Sequence, residues 1–233
     1  MRGIYLVAGY PDSQTFRECY QTVVRCGFDF IEVGIPFNDP IADGPVIAEA
    51  IHRSLYNGVT PDGVMEDIST LKSGNIQQYI MTYANIIYSY GIKNFSEKMA
   101  GAVHGVIIPD VPNRMSDLFY DSGFGIPIVP FATLETRQAD MDLMKRSKSE
   151  IIYVVGIRGI TGSAGNLESP ELHQKIRMIK QNTDKKIIIG FGIKTRDDAL
   201  TALRIGDGFV VGTEAVKRQN NPADLEKYLN SFF

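Results

Sequence analysis

The sequence predicts an α/β fold in which eight strand–helix units close into a barrel, and three observations predict it. Short apolar runs alternate with longer amphipathic stretches along the whole chain. Each run is continuously apolar rather than alternating, which marks parallel strands covered on both faces. No linker or shift in composition interrupts the 233 residues, and a chain of that length with 44% hydrophobic content suits one barrel domain better than an open sheet. The expected fold is thus a single (β/α)8 TIM-barrel domain over residues 1–233.

The units follow in order. Ile4–Ala8 is the first strand, and Ser13 caps a helix running to Arg25. Phe28–Gly34 is the second strand. Thr60-Pro61 places a cap ahead of a proline at the first helical position and leads into Val64–Leu71. The next strands are Tyr79–Tyr83, Gly105–Pro109 and Ile126–Pro130. Thr136 starts a helix through Lys145, after which Ile151–Val155 is the sixth strand. Ser169-Pro170 opens a helix through Ile179, and Lys186–Gly190 is the seventh strand. Thr195 opens a helix through Ile205, and Gly208–Val211 is the eighth strand. Pro222 opens the last helix, ending near Phe233. The first strand starts almost at Met1, leaving no room for the leading helix that covers the bottom of many barrels.

Charge and cysteine usage narrow the function classes. A net charge of −3 provides no basic field for nucleic acid and no polybasic membrane patch. No apolar run approaches the roughly 18 residues of a membrane span, and no signal peptide opens the chain. Cys19 and Cys26 lie about 10 Å apart if they share a helix, too far for a disulfide. A reducing, cytoplasmic setting is expected. His52, His104 and His173 are scattered, and nothing has metal-ligand spacing.

Barrel active sites sit at the C-terminal ends of the strands, so the polar residues that follow each run matter most. Glu32 lies inside an apolar run and should point into the barrel mouth, where burial raises a carboxylate's pKa into the range of a general acid/base. An ion pair with an unseen Lys or Arg is the other reading. Asp39 and Asp43 follow in a loop with three prolines and two glycines. Asx-turn chemistry accounts for Asp39 and competes with a functional role for Asp43. Gly190 and Gly192 after the seventh strand, and Gly212 and Thr213 after the eighth, stand where barrels commonly bind phosphate. Glycine lets backbone N–H groups approach the oxygens, and a helix dipole favours the anion.

The stretch Ile31–Pro45, read as E-V-G-I-P-F-N-D-P-I-A-D-G-P from Glu32, resembles the signature of the tryptophan synthase α subunit, with Asn38 in place of the usual Ser. The likeness extends to Gly9-Tyr10-Pro11, Met81-Thr82-Tyr83-Ala84-Asn85, Pro109-Asp110-Val111-Pro112, Gly190-Phe191-Gly192-Ile193 and Gly212-Thr213. It implies a cofactor-free lyase that cleaves indole-3-glycerol phosphate to indole and glyceraldehyde 3-phosphate. In that scheme Glu32 is the general acid/base, Asp43 binds the indole nitrogen, and Tyr153 stands beside the carboxylate. Tyr5, Met81, Tyr83 and Ile107 form the indole slot. Thr161 lies on a mobile loop over the substrate, and Gly162 joins Gly190, Gly192, Gly212 and Thr213 at the phosphate. The resemblance also implies a β-subunit partner in an α2β2 heterotetramer. After the sixth strand Gly156-Ile157-Arg158-Gly159-Ile160-Thr161-Gly162 departs from the family pattern, with the Arg shifted by one position and the Ser lost. That departure motivates an alternative from another class, a catalytically weak subunit that mainly binds and activates a β subunit. A different phosphate-binding barrel, an isomerase or synthase on a phosphorylated sugar, is the third reading, and the Ile31–Pro45 signature argues against it.

Overall fold

A computed structural model describes residues 1–71, 76–155 and 166–233 of the chain. Eight parallel strands lie in the order β4-β3-β2-β1-β8-β7-β6-β5. They are β1 (Arg2–Val7), β2 (Phe30–Gly34), β3 (Gln77–Met81), β4 (Gly105–Ile107), β5 (Phe131–Ala132), β6 (Ile151–Val154), β7 (Lys186–Ile189) and β8 (Gly208–Val211). A single parallel bridge, Val106 with Ile128, joins the two ends of that sheet and closes the barrel.

Strand parity explains why the runs are continuously apolar. On β1, Ile4 and Leu6 face the helical layer while Tyr5 and Val7 face the interior. On β2, Ile31 and Val33 face outward and Phe30 faces inward. The interior is filled by Tyr5, Phe30, Tyr79, Ile107, Tyr153 and Ile188, among others. Both faces are dry, so alternation has nothing to report.

The fifth strand corrects the sequence expectation. Ile126–Pro130 forms no ladder beyond the bridge at Ile128, and regular pairing begins only at Phe131. Pro127 and Pro130 have no N–H to donate, which breaks the ladder there. β3 also starts earlier than Tyr79. Gln78 is buried because its amide accepts from the Tyr20 hydroxyl at 2.8 Å and donates to the Ala102 carbonyl at 3.0 Å.

The helices around the barrel begin with α1 (Ser13–Arg25), α2 (Pro45–Tyr56) and α3 (Pro61–Thr70). They continue with α4 (Ala84–Tyr90), α5 (Ile92–Met99), α6 (Ser116–Asp121), α7 (Met141–Arg146) and α8 (Pro170–Asn182). The last three are α9 (Arg196–Ile205), α10 (Thr213–Arg218) and α11 (Pro222–Asn230). Thr60, Ser169 and Thr195 cap α3, α8 and α9 through their side chains, as expected. Two starts differ. Asp12, not Ser13, caps α1, its carboxylate accepting from Thr15 N at 2.9 Å. The Thr136 hydroxyl is taken by Thr133 N–H at 2.8 Å, and α7 is entered through a 3-10 turn in which Arg137 N–H donates to the Asp140 carboxylate at 2.7 Å.

Two side-chain amides stand in for strand partners. Val7 extends past the paired part of the β1–β8 ladder, and the fully buried Gln219 meets it. The Gln219 amide accepts from Val7 N at 3.0 Å and donates to the Val7 and Tyr10 carbonyls at 2.7 and 2.8 Å. At β5 the Asn113 amide donates to the Phe131 carbonyl at 2.7 Å and accepts from Phe131 N at 3.0 Å.

Candidate active site

Glu32 lies mid-strand on β2, with its side chain in the barrel interior and no solvent exposure. In the ladder it stands opposite Tyr5 on β1 and Tyr79 on β3, so aromatic rings flank it on both sides. Oε2 accepts from the Tyr153 hydroxyl at 3.3 Å, while Oε1 has no hydrogen-bond partner among the described residues. Loss of water around a lone carboxylate penalises its charged form, and Glu32 is pushed up to about 8, the Tyr153 bond opposing this only in part. The ion pair offered by the sequence as an alternative is absent among the described residues. A carboxyl that titrates near neutrality is suited to donating and then accepting a proton.

Asp43 sits in the loop between β2 and α2. Its Oδ2 accepts from the Tyr83 hydroxyl at 2.7 Å, and the Tyr83 hydroxyl oxygen in turn accepts from Ala42 N at 3.0 Å. Burial raises its pKa as well, against the Tyr83 hydrogen bond. Phe37 leans on the Tyr83 ring at 5.1 Å between centroids. Asp39 is exposed at the loop tip and lines neither cavity described below, in keeping with a turn role.

Two cavities open at the strands' C-terminal ends. The smaller, about 160 Å³, lies over β7, β8 and the start of α10, with Gly192, Gly212 and Thr213 in its wall. The larger, about 770 Å³, extends over Pro109–Arg114, Phe131 and Thr133. They share Asp43, Met81, Tyr153, Gly190 and Phe191, so they form one mouth with two arms. Gly212 has open space where a Cβ would stand, leaving its backbone bare to the smaller arm. Gly190 differs: a Cβ there would come within 1.9 Å of the Tyr153 ring. Its lack of a side chain makes room for the ring that holds Glu32.

The structure therefore places Tyr5, Asp43, Met81, Tyr153, Gly190, Gly192, Gly212 and Thr213 in the walls of one mouth, with Glu32 and Tyr83 behind them, lining neither cavity but bonded to Tyr153 and Asp43. Ile107 is fully buried in the barrel interior and lines neither cavity. Thr161, Gly162 and the loop they belong to lie outside the described residues. Reading the sequence missed Ile47, Phe191, Ile193 and Val210 in the smaller cavity, and with them Lys194 and Lys217. Strand parity would have found Val210, and counting one turn beyond Thr213 would have found Lys217. Asp110 was read only as part of a turn. Its carboxylate accepts from Ala84 N at 3.0 and 3.2 Å and anchors the start of α4.

Comparison with known proteins gives the family and supports the fold. The family model described as "Tryptophan synthase alpha chain" matches residues 4–232. A tryptophan synthase alpha chain of Staphylococcus aureus (strain bovine RF122 / ET3-1) is 37% identical over 213 residues, covering 88% of this chain and 87% of its own length. One from Dehalococcoides mccartyi is 33% identical over 227 residues, with coverage of 96% and 89%. Among solved structures, the tryptophan synthase subunit alpha from Campylobacter jejuni superposes with a TM-score of 0.88 at 29% identity, covering all of this chain and 95% of its own. A Mycobacterium tuberculosis tryptophan synthase chain superposes at 0.90 with 23% identity, with coverage of 99% and 90%, and supports the fold.

Proposed function

The chain belongs to the tryptophan synthase alpha chain family, and on that premise we propose how its residues divide the work of the family's reaction, the lyase cleavage of indole-3-glycerol phosphate to indole and glyceraldehyde 3-phosphate in tryptophan biosynthesis. The observation that carries the proposal is the pair of carboxyl groups at one mouth, Glu32 sunk among aromatic rings and Asp43 steered by Tyr83.

Asp43 accepts the indole N–H and stabilises the cation formed when C3 is protonated. Glu32 in its acid form donates the proton to C3. Its carboxylate then takes the proton of the side-chain hydroxyl as the C–C bond breaks; that bond's electron pair returns to the ring, indole leaves, and the hydroxyl carbon becomes the aldehyde. Each positioned acid or base supplies a factor of about 10²–10⁴. Tyr153 holds Glu32 in place. Tyr5, Met81 and Tyr83 border the indole, with Ile107 buttressing them from below. Backbone at Gly190, Gly192, Gly212 and Thr213 receives the phosphate. Thr161 and Gly162 are assigned to the substrate by resemblance alone.

The family implies a β-subunit partner. We propose an α2β2 arrangement, one catalytic barrel domain spanning residues 1–233, and residence in the cytoplasm, which two cysteines that form no disulfide, Cys19 and Cys26, support. No helix among the described residues is long and apolar enough to cross a membrane.

The test is indole release from indole-3-glycerol phosphate by the purified chain, alone and with an added β subunit, beside Glu32→Gln. Release that falls by about 10²–10⁴-fold in the variant supports the assignment. Equal release by wild type and a folded Glu32→Gln would remove Glu32 from the chemistry. No release by wild type, with or without partner, would favour the alternative of a subunit that binds and activates its partner.

A further inference from the structure

A phosphate dianion in the smaller cavity meets the backbone of Gly190, Gly192, Gly212 and Thr213, as proposed above, but those N–H groups carry no full positive charge to match it. α10 is only six residues long and carries Glu214 in its first turn, a poor source of field for an anion. Glu214 also lines the cavity. Two lysines line it too, Lys194 just after β7 and Lys217 on α10.

Their settings differ in a useful way. The main chain of Lys194 is clamped on both sides: its N–H donates to Asp198 Oδ2 at 3.0 Å, and its carbonyl accepts from the Tyr228 hydroxyl at 2.8 Å. The root of the side chain is fixed, while its ammonium makes no ion pair among the described residues. The Lys217 ammonium lies 2.6 Å from Glu214 Oε1, and Arg218 Nη1 holds the other oxygen of that carboxylate at 2.8 Å. Glu214 thus keeps one cation if the other leaves. Arg218 is itself held, its guanidinium over the Tyr228 ring at 4.2 Å.

We propose that Lys194 and Lys217 are specificity-determining residues for the substrate's phosphate, two ammonium groups that close on it from the ends of β7 and β8, with Glu214 parking Lys217 at the cavity wall until the anion arrives. This rests on the smaller cavity being the phosphate subsite, as assigned above. Transfer of Lys217 from a carboxylate to a dianion is favourable because the charge met is larger, and Arg218 compensates Glu214 afterwards. Both lysines are exposed, so each contributes less than a buried pair would.

The experiment measures KM and kcat of the full chain for indole-3-glycerol phosphate in Lys194→Ala, Lys217→Ala and the double variant, with inorganic phosphate as a competing probe. Each single change is expected to raise KM about five- to tenfold, with most of the loss in KM, and to weaken phosphate inhibition in parallel; tenfold corresponds to about 1.4 kcal/mol. Lys217→Arg should recover part of the loss. Glu214→Gln, which frees Lys217, should lower KM. The same loss on indole-3-glycerol, which lacks the phosphate, would mark the lysines as structural and overturn the proposal. Unchanged KM in both single variants would overturn it as well. Gly212→Leu separates this failure from failure of the subsite itself, because its side chain enters the open space beside Gly212. If that variant raises KM and the lysine variants do not, the subsite stands and the lysines have no part in it. If it too leaves KM and phosphate inhibition unchanged, the subsite assignment falls.

Discussion

The wall formed by β1, β2 and β3 and the seam between β4 and β5 are built to different standards. Five consecutive residues pair between β1 and β2, and five between β2 and β3. β4 meets the other end of the sheet at one bridge, and β5 pairs over two residues with its other neighbour. Glu32 rides in the centre of the firm wall. The sparse seam borders the larger cavity, and there the side-chain amide of Asn113 replaces a missing strand. Precision is needed at the proton donor, where a displacement of about 1 Å can cost about 10²-fold in rate, whereas a wall that only bounds a cavity tolerates a patched ladder.

The comparison can be sharpened first at Asp43, which depends on a loop rather than on the firm wall. Asp43→Asn should lower kcat/KM by about 10²–10³-fold, because the amide cannot neutralise the indole cation; steady-state indole formation checks it. Next comes the stability of the firm wall itself. The folded-state pKa of Glu32, about 8, lies above its ordinary 4.5. Across that window the folded chain keeps a proton that the unfolded chain has released, so stability falls as pH rises from about 4.5 to 8. Glu32→Gln removes this dependence and should raise stability by about 2–4 kcal/mol at pH 8, and by less at pH 6, in urea unfolding. A gain independent of pH would show that Glu32 is not held neutral. In wild type, kcat/KM should decline above about pH 8 as the acid form is lost.

The two amide patches give the smaller effects. Gln219→Ala strands the buried Val7 N–H and the half-buried Tyr10 carbonyl, while the Val7 carbonyl keeps the Tyr10 N–H at 3.3 Å, and should cost about 2–3 kcal/mol. Asn113→Ala strands one N–H and one carbonyl in a half-buried site, for about 1–2 kcal/mol. Chemical denaturation ranks them. An Asn113→Ala cost exceeding that of Gln219→Ala would invert the picture of a firm and a tolerant flank.

Most of this architecture was legible in the chain. Runs that are apolar on both faces need a barrel or a doubly covered sheet, and Thr60, Ser169 and Thr195 mark their helices by local hydrogen bonding alone. The fifth strand was not legible, because Ile126–Pro130 has the hydrophobicity of a strand while its prolines remove the donors that a ladder needs. The start of α7 was hidden because the Thr136 hydroxyl is claimed by Thr133, an allegiance that propensity cannot reveal. At the site, Glu32 stood out as a charge in an apolar run, and the loop motif carried Asp43. Lys194 and Lys217 did not stand out, since lysines beyond a strand end look like any solvated surface until the fold turns them toward one cavity. Gly190 was read as a bare backbone for phosphate, and its contact with the Tyr153 ring depends on two strands lying side by side.

That contact has companions. Gly34 gives way to the Tyr5 hydroxyl and Gly3 to the Phe30 ring. Large and absent side chains are thus matched across neighbouring strands, like teeth and gaps around the inside of the barrel. Such pairs constrain inheritance. A mutation that fills one gap ejects a ring from its seat, and the sequence recovers only when a second mutation trims the ring on the adjacent strand. Over long times the two members of each pair should change together or not at all.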